Sequence, residues 1–138
     1  MARRASHQLA VSADGRRALT SHIPCSGGDC ARDQIGVMLF EGEELSLTRL
    51  TLSPGCATAA VALAAEARRG YFAVRCGDSI HLGAWLGAEW EVKDIHPLTP
   101  VTYDPDVVTS GDGSQALFVW AEADGKQHIH KSLLFADY

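Results

Sequence analysis

An all-β fold built from about three copies of one antiparallel unit is what the sequence predicts, on three observations. Short apolar runs alternate with Gly and Asp-Gly turns along the 138 residues, the punctuation of strands joined by tight hairpins. Ile35–Leu50 aligns without a gap on Ile80–Ile95, at a constant offset of 45. The turn Ser12-Ala13-Asp14-Gly15 recurs 98 residues later as Ser110-Gly111-Asp112-Gly113, two steps of 49.

Taken in order, Leu9–Ser12 reads as a short strand that turns at Ala13-Asp14-Gly15 into Ala18–Ile23. In the gapless alignment Phe40 falls on Trp85, Gly42 on Gly87, Leu45 on Trp90, Leu47 on Val92 and Leu50 on Ile95. Each copy is therefore an incoming strand, a Gly turn and an outgoing alternating strand. Asp104–Tyr138 supplies the third copy: Val107 and Val108, the 110–113 turn, Ala116–Trp120, a turn at Ala123-Asp124-Gly125, and a strand from Ile129. It runs out where the Gly turn should come, one strand short. A period of roughly 40–50 residues is that of β-propeller blades. The fold class expected is all-β, with about two and a half to three four-stranded antiparallel blades in one unit, 1–138, and copies at approximately 7–54, 55–102 and 103–138.

The middle copy carries a conflict. Cys56–Arg69, CATAAVALAAEARR, has the composition of a helix, with Gly70 placed to end it. The repeat register sets Val61 on Val107 and Tyr71–Val74 on Leu117–Trp120, at offset 46, which requires strand, turn and strand. The register is the preferred reading, because a helix would break the repeat.

Composition narrows the function classes. Hydrophobic content of 46% with 21% charged residues describes a globular chain. A net charge of −5 with scattered Lys and Arg disfavours nucleic acid, which needs a clustered basic face. No apolar run approaches the roughly 20 residues of a membrane span, and the N-terminal MARRASHQLAVSADG lacks the apolar region of a secretory signal.

With the repeats laid out, the chain resembles the sialidase-like, Asp-box class of β-propellers. The box reads Ser-x-Asp-x-Gly-x-x-Trp on the hairpin between a blade's third and fourth strands. Gly87-Ala88-Glu89-Trp90 matches its second half, while Gly83 and Trp85 stand where Ser and Asp belong. Gly42-Glu43-Glu44-Leu45 keeps only the Gly, and in the third copy Ser132 fits but Leu134 replaces the Asp. The resemblance implies architecture. Its catalytic set, an arginine cluster, a Glu-activated Tyr and an Asp, has no match: His22-Ile23-Pro24 replaces the Arg-Ile-Pro motif, and Tyr103 has no Glu partner.

Of the candidate chemistry, the cysteines are the most specific. Cys25 and Cys30 flank Ser-Gly-Gly-Asp, and a hairpin reversing at Glu66 sets Cys56 opposite Cys76. Opposed antiparallel residues about 5.5 Å apart accept a disulfide. Two such bonds imply an oxidising compartment, extracellular or periplasmic. Four free thiols are the alternative, and a zinc site fits the spacings poorly. His128 and His130 share a strand face and read as solvent-facing, while His22, His81 and His96 show no useful spacing. Asp14, Asp112 and Asp124 each precede a turn Gly, a role turn chemistry explains. Trp85, Trp90 and Trp120 fall at core-strand positions and read as packing rather than a sugar platform.

No catalytic, cofactor or metal residue is therefore assigned. The function expected is a non-catalytic propeller segment, scaffold or binding surface of an exported protein, completed by adjoining blades or another subunit and able to take a carbohydrate or protein ligand. The alternatives are a fragment of a sialidase-like hydrolase whose catalytic residues lie elsewhere, or a lectin completed by oligomerisation.

Overall fold

The computed structural model describes residues 9–66, 68–123 and 127–131. Those residues form strands, turns and loops, with no helix among them. Three antiparallel sheets follow one another along the chain. The first comprises β1 (Leu9–Val11), β2 (Arg17–His22), β5 (Gln34–Glu41) and β6 (Glu44–Thr51) in that spatial order, with β3 (Cys25–Ser26) and β4 (Asp29–Cys30) forming a separate hairpin between β2 and β5. The second is a meander of β7 (Ala60–Leu63), β8 (Gly70–Cys76), β9 (Ser79–Trp85) and β10 (Trp90–Ile95). The third holds β11 (Val101–Thr109), β12 (Ala116–Glu122) and β13 (Gln127–Lys131). Expectations for Met1–His7, Asp124 and Ser132–Tyr138 lie outside the described residues.

The first three strands of the middle sheet are buried on both faces, which resolves the conflict at Cys56–Arg69. On one side Val61, Leu63, Phe72, Val74 and Trp85 meet Leu19, Ile35, Val37 and Leu39 of the first sheet. On the other, Ala60, Ala62, Tyr71, Ala73 and Leu82 meet Val107, Ala116, Phe118 and Trp120 of the third. A strand covered on both faces needs continuous apolar residues, so its sequence loses the period-2 alternation and imitates a helix. All four residues of β7 are buried.

The β7–β8 register departs from the expected one. Ala60 faces Ala73, Val61 faces Phe72 and Leu63 faces Gly70, one residue off the pairing that sets Cys56 opposite Cys76. Those two cysteines nonetheless face each other, in an isolated bridge. One extra residue in 57–59 absorbs the difference, in the manner of a β-bulge. It has a purpose. Side chains alternate faces, so an unbroken register would turn Cys56 away from Cys76; the extra residue returns both to the core between the first two sheets.

Both cysteine pairs are disulfide-bonded, Cys25 to Cys30 and Cys56 to Cys76. Their Cα separations, 3.9 and 3.7 Å, are shorter than that of a hydrogen-bonded pair. Part of the reason is visible at Cys56: the flanking bonds run from Ala57 N–H to Arg75 O and from Gly77 N–H to Gly55 O, the signature of a non-hydrogen-bonded position, where facing residues come closest, to about 4.5 Å. At Cys25, Gly27 and Gly28 both take positive φ, 59° and 93°, as a two-residue type I′ hairpin demands.

Contacts between sheets concentrate on the first two strands of each: β1 and β2 against β7, then β7 and β8 against β11.

Candidate functional site

The first hairpins of the three sheets share one design. Their closing bonds are equivalent: Ser12 N–H to Arg17 O, Ala64 N–H to Arg69 O and Ser110 N–H to Gln115 O, each 2.9 Å. In the outer two the side chains repeat as well. Ser12 Oγ donates to Asp14 Oδ1 at 2.7 Å, and Arg16 N–H donates to the same oxygen at 2.9 Å. Ser110 Oγ and Ser114 N–H do the same for Asp112, at 2.8 and 3.0 Å. Charge-stabilising donors lower a carboxyl pKa. That of Asp112 falls to about 2, chiefly through the Ser114 N–H, then the Ser114 and Ser110 hydroxyls. Asp14 is lowered by the Arg16 N–H and then Ser12. These carboxylates are committed to their turns. The Ser/Asp tie thus sits on the first hairpin of a sheet, whereas an Asp box belongs between the third and fourth strands.

The same hairpins hold neighbouring sheets together. Glu66 N–H donates to Gly111 O at 2.9 Å, and the Tyr71 hydroxyl donates to Gly113 O at 2.5 Å. Arg68 forks onto both Glu41 oxygens at 2.6 and 2.8 Å and lies 5.1 Å over the Trp85 ring. An open cavity of about 350 Å³ lies here, lined by Asp14, Arg16, Arg17, Glu41, Glu66 and Arg68 among others. A second, of about 270 Å³, runs past Ser46, Thr48, Trp85 and Trp90. Its aromatic faces are occupied: Arg68 covers Trp85, and Trp90 tilts onto Phe72 at 5.3 Å. Trp120 is buried and donates to Glu122 at 2.9 Å. The tryptophans pack.

One constellation escaped the sequence reading. The Asp94 carboxylate accepts a 2.6 Å hydrogen bond from His81 Nδ1, and His81 Nε2 stands 3.1 Å from Ser53 Oγ. Spacing along the chain gives no hint of it. Reflecting the chain about the Gly87 turn does, since Asp94 is the direct cross-strand partner of His81, and only the fold adds Ser53 from the linker after β6. In this tautomer Nε2 accepts the serine proton, the order that activates a nucleophile.

The surroundings point the other way. His81 is only 3% exposed, while the Asp94 side chain is 56% exposed, so water shares the carboxylate meant to orient the ring. The relay ties the linker between the first two sheets to β9 and β10.

Of the other histidines, His22 keeps a buried Nδ1 without a hydrogen-bond partner among the described residues. The His22 ring lies against Gly36, where any Cβ would collide with it, and Ser79 Oγ approaches His96 Nδ1 at 3.3 Å. The expectation for His128 and His130 concerns side chains outside the described set.

Finally, the two ends of the sheet stack are apolar. The outer face of the first sheet carries Leu9, Val11, Phe40, Leu45 and Leu47, all exposed, and cross-strand pairing joins them: Val11 to Ala18, Ala18 to Phe40, Phe40 to Leu45, and Met38 to Leu47. The outer face of the third sheet carries Val108 and Leu117, directly paired and exposed. The chain matches no protein-family model, and no curated protein or solved structure is significantly similar to it.

Proposed function

We propose that the chain is a non-catalytic segment of a β-propeller, three blades that serve as a scaffold or binding surface in an exported protein. The observation that carries this reading is the repeat relation between exposed and buried faces. Leu9 of the first sheet corresponds to Val61 of the second and Val107 of the third, and Phe40 corresponds to Trp85. Val61, Val107 and Trp85 are buried against a preceding sheet; Leu9 and Phe40 are exposed. The first sheet therefore has the face of a blade that lacks its predecessor. The contacts gathered on first strands suit blades that radiate from an axis, and two disulfides suit an oxidising compartment. The sialidase-like resemblance enters for architecture alone.

Spin-label distances test the blade arrangement on the chain itself. One pair of labels is placed on first-hairpin turns, at Ala13 and Glu66. The other is placed on the outer hairpins, at Glu43 and Glu89. Blades give a clearly longer outer than inner distance. Equal distances would mean flat stacked layers and would overturn the reading.

A further inference from the structure

We propose that the partner closing the stack is a second copy of the same chain, docked head to tail so that two sets of three sheets complete one six-bladed ring. This rests on the blade reading above.

The argument starts from the faces. Every sheet has a face turned to its predecessor and a face turned to its successor. The successor-facing side of the second sheet, with Ala60, Ala62, Tyr71 and Ala73, is covered by the third. At offset 46, Ala62 corresponds to Val108, Tyr71 to Leu117 and Ala73 to Val119. Among the described residues the third sheet thus presents an uncovered successor-facing side, and the first sheet an uncovered predecessor-facing side. One sequence supplies both halves of the joint that it already makes twice internally.

Exposure shows how much is left uncovered. Leu9 is 62% exposed where its counterpart Val61 is 2%, and Ala62, the counterpart of Val108, is 9% exposed. Val108 itself is 57% exposed. Monomeric proteins rarely leave contiguous apolar faces of this kind open. A joint between unlike faces is heterologous and yields either a ring or an open filament, according to whether the rotation closes. Closed propellers have about four to eight blades. Two copies give six, so one repetition of the joint suffices.

Placement of the new contacts follows from the internal ones. Because β11 packs on β7, β1 of the second copy packs on β11 of the first, with Leu9 beside Val108.

The test uses the full chain, sedimentation equilibrium and two charge variants. Wild type is expected at twice the 14.8 kDa chain mass across the micromolar range. Leu9→Glu and Val108→Lys each alter a side chain already exposed, so both are expected to keep the wild-type circular dichroism and both disulfides. Each alone is expected to weaken association at least a hundredfold. Mixed, they should recover dimer, because a mixed ring has one unaltered joint and one joint with opposite charges.

If only one variant dissociates, and mixing restores nothing, the interface joins like faces and the proposal fails. A mass that climbs without limit would mean that the joint does not close. A wild-type monomer would overturn self-closure and leave adjoining blades of a longer chain or a different subunit as the occupant. In that case the spin-label distances still decide the blade reading independently.

Discussion

The Ser21 hydroxyl donates a 2.7 Å hydrogen bond to the Ala59 carbonyl, across 38 residues and in a fully buried setting. Ala59 lies just before β7, in the segment that carries the extra residue, at the open edge of the second sheet, where no strand of its own sheet can supply its carbonyl with a donor. The bond joins the first sheet to the second at the point that brings Cys56 round to Cys76.

Removing that hydroxyl tests the account. Ser21→Ala leaves a buried carbonyl without its donor, which costs about 1–3 kcal/mol. Urea unfolding monitored by tryptophan fluorescence should show a lower midpoint with an unchanged slope. A change below a few tenths of a kcal/mol would mean that the extra residue needs no support from the first sheet.

The two disulfides should behave differently. Cys56 and Cys76 are buried, whereas Cys25 lies exposed at a hairpin. A mild water-soluble reductant is therefore expected to open Cys25–Cys30 first, as read by alkylation and mass spectrometry. The bonds also span different stretches, 20 residues for Cys56–Cys76 and 5 for Cys25–Cys30. Loop-closure entropy then makes the longer bridge the more stabilising, about 3 kcal/mol against about 2 kcal/mol in the chain-entropy picture. Paired Cys→Ser variants should rank in that order; the reverse order would defeat the argument.

Acid sensitivity follows from the first-hairpin turns. Asp112 is lowered to about 2 by the donors of Ser114 and Ser110, and Asp14 is lowered by Arg16 and Ser12. A depressed carboxyl favours the folded state when ionised, so its stabilisation is present above the unfolded pKa and is lost as pH falls through the folded one. The window for Asp112 thus runs from about pH 4 down to about 2. Thermal midpoints of wild type and Asp112→Asn should differ at pH 5 and converge as pH approaches 2. A constant difference across that range would show that the charge is not what the turn uses.

Much of the architecture was legible because hairpins announce themselves. Turn glycines, a gapless repeat and paired cysteines marked strands even where Ala57–Arg69 imitated a helix. The register was less legible, because one added residue at 57–59 leaves no mark in composition; only the demand that Cys56 and Cys76 share a face exposes it. The departure from the Asp-box pattern at Gly83 has a physical reason. The Phe72 ring lies against Gly83, so any Cβ there would fall inside it. Gly83→Ser, the residue an Asp box would carry, is therefore expected to destabilise by about 1–3 kcal/mol as an overpacked core. A neutral result by denaturant unfolding would show that the ring moves aside at little cost. The serine relay was only half legible: reflection about the Gly87 turn sets Asp94 opposite His81, but Ser53 comes from a linker that no spacing rule joins to them.

That relay supports the last prediction. Ser53, His81 and Asp94 stand in the hydrogen-bonding order of a nucleophilic site, at 3.1 and 2.6 Å. Yet the imidazole is buried and the carboxylate is open to water, the reverse of an orienting acid that is screened and a base that substrate can approach. A structural tie should respond to loss of its bonds and stay inert to serine-directed reagents. Ser53→Ala leaves a buried imidazole nitrogen without a partner, and should cost about 1–3 kcal/mol in denaturant unfolding. A fluorophosphonate probe incubated with the folded chain should leave Ser53 unmodified, as read by peptide mass mapping. Stoichiometric labelling of Ser53 that vanishes in His81→Gln, with both chains shown folded by circular dichroism, would identify the serine as an activated nucleophile. The non-catalytic reading of the chain would then have to be abandoned.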